Sequence, residues 1–196
     1  MAGNIDTPFG LRPVMYRDGS PYNGAAIEVE FAAAETNAYF AGDPVRLAGS
    51  ASTFGHRATV GQVTTGGVGG IANTIYGVLI GLRADPDNLT IKHRRASTLR
   101  RALITTDPNI LFEIQSNGVV LPANVGLNFN LTSATAGSSA TGLSGYELDT
   151  TSGATSAFYQ LKLERLVERE DANTGTNAKC LVSINMHQGK QVTTGT

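Results

Sequence analysis

Glycine and proline interrupt this sequence so often that no long helix can run through it. Glycine supplies 23 of 196 residues, about 12% where ~7% is usual, and the apolar positions between the breaks recur at the period of a strand. Ile27-Glu28-Val29-Glu30-Phe31 alternates strictly between apolar and acidic, which predicts a strand with one buried and one wet face. Pro44-Val45-Arg46-Leu47 follows the turn signal Gly42-Asp43. Residues 76–82 form a nearly continuous apolar run, the pattern of a strand covered on both faces. Residues 101–105, 111–114 and 127–131 read as further strands, as do 158–163 and 179–186, the last with Cys180, Val182 and Ile184 on one side. Short helical turns fit 32–35 and 163–170, while 97–103 suits a short capped helix and a strand equally well. The expected fold is all-β: an antiparallel β-sandwich or barrel, jelly-roll-like, with few short helices.

The first two dozen residues carry Pro8, Pro13 and Pro21 together with Gly10, Gly19 and Gly24. That density excludes helix and disfavours a central strand. Phe9, Leu11, Val14, Met15, Tyr16 and Tyr22 nevertheless make the segment too apolar for a solvated linker. An extended arm over residues 1–26 is expected, lying on its own domain or, the reading favoured here, on a neighbouring subunit. A β-rich core over 27–187 and a loose tail over 188–196 complete the division. Residues 64–70 and 132–142 have almost no large side chains and read as surface loops.

Composition removes several classes of function. A formal charge of -1 supplies no overall basic field for a polyanion. No apolar run approaches the ~20 residues that span a bilayer, and the opening MAGNIDTPFG has neither a basic leader nor an apolar core. The single cysteine, Cys180, fits a reducing compartment. Gly67-x-Gly69-x-x-Ala72 matches the dinucleotide fingerprint in form, but a β pattern follows it where a helix N-terminus is needed. His56, His93, His187 and Cys180 lack metal-ligand spacing, and no nucleophile elbow occurs. No cofactor, no metal and no catalysis are expected.

One charge cluster stands out: Lys92, Arg94, Arg95, Arg100 and Arg101. A solvated face is its plainest reading. Nucleic acid is disfavoured because no aromatic is interleaved to stack bases. The favoured reading is contact with an acidic protein surface through bidentate Arg–carboxylate pairs, with Glu164, Glu168, Glu170 and Asp171 of a neighbouring copy as one source.

Asn4-Ile5-Asp6-Thr7-Pro8-Phe9-Gly10-Leu11-Arg12-Pro13, followed by Gly19-Ser20-Pro21-Tyr22-Asn23-Gly24-Ala25, resembles a family of structural proteins from tailed bacteriophages. So do Gly42-Asp43-Pro44-Val45, Asp85-Pro86-Asp87-Asn88-Leu89, Leu111-Phe112-Glu113-Ile114-Gln115, Gly145-Tyr146-Glu147-Leu148-Asp149 and Gly175-Thr176-Asn177-Ala178-Lys179. That family is the capsid cement, or decoration, proteins of double-stranded DNA phages. The resemblance implies a protein made in the host cytoplasm that binds the outer surface of the major capsid protein shell, as a homodimer or homotrimer. Phe9, Leu11, Arg12, Met15, Tyr16 and Tyr22 are then the candidate capsid contacts. A minor head-surface knob or tail component is the nearest alternative. A small β-barrel module for carbohydrate or nucleic acid is the alternative from another class.

Overall fold

The structure, a computed structural model, describes residues 4–52, 55–65, 73–132, 137–169 and 174–190. It is nearly all β. The strands are β1 (Arg12–Tyr16), β2 (Ile27–Phe31), β3 (Pro44–Ala51), β4 (Ala58–Gln62), β5 (Gly77–Leu82) and β6 (Arg100–Thr105). After them come β7 (Ile110–Gln115), β8 (Val119–Val120), β9 (Asn128–Leu131), β10 (Leu148–Ala154), β11 (Leu161–Leu166), β12 (Gly175–Thr176) and β13 (Lys179–Ile184). A short 3-10 turn lies at Pro122–Asn124.

Five consecutive strands close a barrel in the order β2-β4-β3-β5-β6. Its neighbours are antiparallel except β2 and β4, which meet in parallel at Glu30 and Thr59. The alternation in β2 sends Val29 and Phe31 inside, where they meet Val45, Val60, Leu79 and Ile104. A six-stranded sheet, β1-β7-β13-β11-β9-β10, holds the second core, with β8 and β12 paired beside it. Ile110, Phe112 and Ile114 pack there with Cys180, Val182 and Ile184, and with Val78 and Ile75 from the barrel side. Val78 therefore faces the sheet core while its neighbour Leu79 fills the barrel. That two-sided burial is why β5 reads as an unbroken apolar run.

β1 and β7 are adjacent strands separated in sequence by the whole barrel. The N-terminal segment thus lies on its own body. Leu11 is 1% exposed in the sheet core, and burying such a side chain contributes roughly 1.5–3 kcal/mol. β1 accepts its proline because it is an edge strand: Pro13 precedes a register shift, where a missing N–H costs no ladder bond. Its outer side is closed by Tyr16 N–H donating to Ser20 O (2.8 Å) and Tyr22 N–H to Val14 O (3.0 Å). Upstream, Thr7 N–H donates to Gln115 Oε1 and Gln115 Nε2 donates to Ile5 O, both at 3.1 Å. These bonds lay the first residues over the outer face of β7. The boundary expected at residue 26 is a boundary in sequence only, and the expected 27–187 core contains two packed units.

The helical turns expected in 32–35 and 163–170 resolve differently. Residues 32–35 make a single turn, Glu35 N–H donating to Ala32 O. Leu161 and Leu163 alternate into the sheet as β11, because pairing with β13 and β9 outweighs local helix preference. Residues 97–103, left open between helix and strand, enter β6 at Arg100.

Candidate functional site

The N-terminal segment crosses the barrel at one tight point, and that crossing builds the first candidate surface. Leu11 N–H donates to Gly42 O, and Ala41 brackets the 142–144 loop by donating to Gly142 O and accepting from Ser144 N–H, each bond 2.9 Å. Gly10 (φ 70°) and Gly42 (φ 96°) both lie in the left-handed region. A Cβ on Gly10 would stand 2.6 Å from Gly42 O, and one on Gly42 would overlap Phe9 O. Only glycine lets the three segments touch. Behind them the Asp43 carboxylate accepts from Phe40 N–H at 2.9 Å. Burial pushes its carboxyl up to about 6, against the pull of the Ser144 hydroxyl and the Phe40 amide.

In front of the crossing is a cleft of about 290 Å³, bordered by Phe9, Pro13 and Tyr22 on one side and Leu79, Ile80 and Leu143 on the other. It adjoins a hollow of about 530 Å³ that shares Phe9, Arg12 and Leu143. Arg12 stands at the rim of both. Its guanidinium carbon is 4.9 Å from the Phe9 ring centroid, and it donates to Glu113 Oε2 at 2.6 Å. Glu113 is buried, and Arg169 holds its other oxygen at 2.6 Å. Burial alone would raise that carboxyl, but Arg169 and Arg12 hold it below its usual range.

Of the six candidate contacts, Phe9, Leu11, Arg12 and Tyr22 line this cleft. Leu11 does so only as buried floor, so it supports the surface without offering a side chain to a partner. Met15 and Tyr16 are placed elsewhere. Tyr16 packs against the sheet core and tilts toward Tyr22, ring centroids 6.2 Å apart, while Met15 Sδ lies 3.8 Å from Arg165 Nη2.

The charge cluster does not survive folding as a patch. Arg94 is 0% exposed. It donates Nη2 to Ala32 O (2.8 Å), Nε to Thr98 O (2.9 Å), and Nη1 to Glu35 O (2.8 Å) and Asn37 O. Its guanidinium carbon lies 5.5 Å from the Phe31 ring and 5.8 Å from that of Tyr39, and those two rings stack at 4.2 Å. Together they plug one end of the barrel. Arg95 pairs with Asp85 and Asp87, and Lys92 donates to Ala140 O at 3.0 Å. Arg100 is 5% exposed and bound to Asp85, whereas Arg101 faces solvent. Lys92, Arg94 and Arg95 precede β6 and each meets different partners, so a cluster that is dense in sequence is divided in space.

Arg100 and Arg101 belong instead to a second groove of about 530 Å³, where Arg57, Arg83, Glu28 and Leu99 join them. Glu28 accepts from Arg57 Nε (2.7 Å) and Arg83 Nε (2.9 Å). Sequence reasoning missed Arg57 and Arg83 because each is isolated in the chain, and barrel closure alone brings them together. Leu143, also missed, is the one large apolar residue in the small-residue loop around it, a signal that was available.

No protein-family model, curated protein or solved structure matches the chain. Function therefore rests on these surfaces and on the sequence phrases. The acidic stretch offered as a partner is partly engaged, since Glu164 accepts from Arg17 Nη2 and the Ser183 hydroxyl at 2.7 Å each. Glu170, Asp171 and the Gly67–Gly69–Ala72 pattern lie outside the described residues. Among the described residues, no group of three or more His, Cys, Asp or Glu is placed to hold a metal ion. Burial pushes the Cys180 thiol up to about 12, far from a reactive thiolate.

Proposed function

We propose that this chain is a non-enzymatic structural protein that cements the head of a tailed phage, binding the outer surface of the major capsid protein shell as a small homo-oligomer. The observation that carries the reading is the apolar cleft in front of the Gly10–Gly42 crossing. One of its walls comes from the segment whose wording resembles cement proteins, and Phe9 and Leu143 stand at its rim. The cleft suits a partner's apolar side chain better than a polar substrate. Because the segment is already ordered by β1, docking on it forfeits little conformational entropy. The anchoring surface in this reading is a preformed cleft rather than a free arm.

The test is cosedimentation with expanded heads of the parent phage lacking this protein. Wild type should pellet with heads at hundreds of copies per particle, as quantified by mass spectrometry. The double variant Phe9→Ala/Leu143→Ala should keep its thermal midpoint within a few degrees and bind at least about tenfold more weakly. Undiminished binding by that variant rejects the cleft. A wild-type chain absent from virions rejects the function, and a dozen copies or fewer shifts it to a knob or tail component.

A further inference from the structure

The groove between β2, the start of β4, the end of β5 and the start of β6 is a built site with unused donor capacity. Four guanidiniums, Arg57, Arg83, Arg100 and Arg101, line it against one carboxylate, Glu28. Glu28 takes only the Nε donor of Arg57 and of Arg83. Each guanidinium has five N–H groups in a planar fork, so the Nη1/Nη2 ends of both remain for a second acceptor. The Arg101 side chain has no hydrogen-bond or ion-pair partner among the described residues. Arg100 is the independent sign of a ligand. It is 5% exposed, gives Nη2 to Asp85, and leaves Nη1 buried without a partner. A buried donor without an acceptor is costly, and it lies in the floor of the same groove.

We infer that this groove takes carboxylates of an acidic protein segment, with Arg57, Arg83 and Arg101 as the receiving side chains. The inference rests on the proposed function for the identity of the partner, which is then a stretch of the shell subunit that mixes acidic and apolar residues. Two features favour a carboxylate over a nucleic-acid phosphate. No aromatic lines the groove to stack a base. Leu99, 56% exposed, sits beside the arginines together with Pro86, giving an apolar neighbour to the charged contact as protein segments present. Arg forks pair bidentately with carboxylates, and a lysine in their place would not.

The full-length chain, labelled with nitrogen-15, is titrated with a blocked peptide alternating glutamate and leucine, with its glutamine counterpart, and with oligothymidylate. The Nε–H signals of Arg57, Arg83 and Arg101 should shift saturably with the acidic peptide and not with the glutamine peptide. Arg83→Gln/Arg101→Gln should weaken that response about tenfold while the amide spectrum elsewhere stays unchanged. Shifts spread over the surface, no saturation, or tighter binding of oligothymidylate with a steep salt dependence each overturn the inference. Head cosedimentation separates the two proposals. A wild-type chain that binds peptide but not heads fails the proposed function alone, and one that binds heads with the groove silent fails this inference alone.

Discussion

Arg94 and Arg95 are neighbours in sequence, yet one guanidinium is sealed in the barrel end and the other is partly in solvent. Nothing in a linear run of basic residues distinguishes them, because the difference is made by the carbonyls of Ala32, Glu35 and Asn37 and the rings of Phe31 and Tyr39, far back in the chain, together with the nearby Thr98 carbonyl. Arg94→Lys should therefore cost at least about 3 kcal/mol, since an ammonium cannot satisfy that fork of acceptors. Arg95→Ala should leave the denaturation midpoint nearly unchanged, and urea melts of both variants check the contrast. Asp43 makes a separate prediction. Its carboxyl is raised to about 6 by burial, above its unfolded value of about 4. Across that interval the unfolded chain has lost the proton and the folded chain still holds it, so stability from this group falls as pH rises. Asp43→Asn should accordingly gain on wild type between pH 4 and pH 7, by on the order of 2–3 kcal/mol, in thermal melts at each pH. A difference independent of pH would reject the assignment.

Among elements, legibility followed two-sided burial. β5 announces itself because both faces are apolar, β13 because Cys180, Val182 and Ile184 share one apolar face, and β2 because its two faces are opposite in character. β1 and β10 escaped notice for a shared reason: both are edge strands. Pro13 sits in one, and the other, LDTTSGA, shows mostly small polar groups. An edge needs only one neighbour, so its sequence is less constrained. The apolar content of the N-terminal segment was correctly visible, but which surface it covers depends on β7, far along the chain. Removing residues 1–22 would therefore unfold part of the body rather than trim an appendage. The sharper experiment is Leu11→Ala, expected to lose about 2–5 kcal/mol, against Ile5→Ala, whose 75% exposed side chain should cost less than about 0.5 kcal/mol. Equal losses would mean that the segment is not seated in the sheet core.

For the whole molecule, the order of strands has a consequence for how the chain is made. The barrel is a local object, closed by five strands in succession, and it can form as soon as β6 leaves the ribosome. β1 has no such option. It is synthesised before the barrel strands and must wait, without its sheet neighbour, until β7 follows the finished barrel. At high chain concentration, a waiting ribbon can be claimed by the wrong molecule. The register opposes Met15 to Leu111, so cysteines at those two positions report the choice: oxidised after refolding, they should link within one chain when dilute and between chains when concentrated. A proportion that ignores concentration would mean the ribbon finds its own sheet before any stranger arrives. Otherwise, traffic between unfinished siblings is a hazard written into the connectivity, and slow or chaperoned production would raise the yield of properly closed monomers.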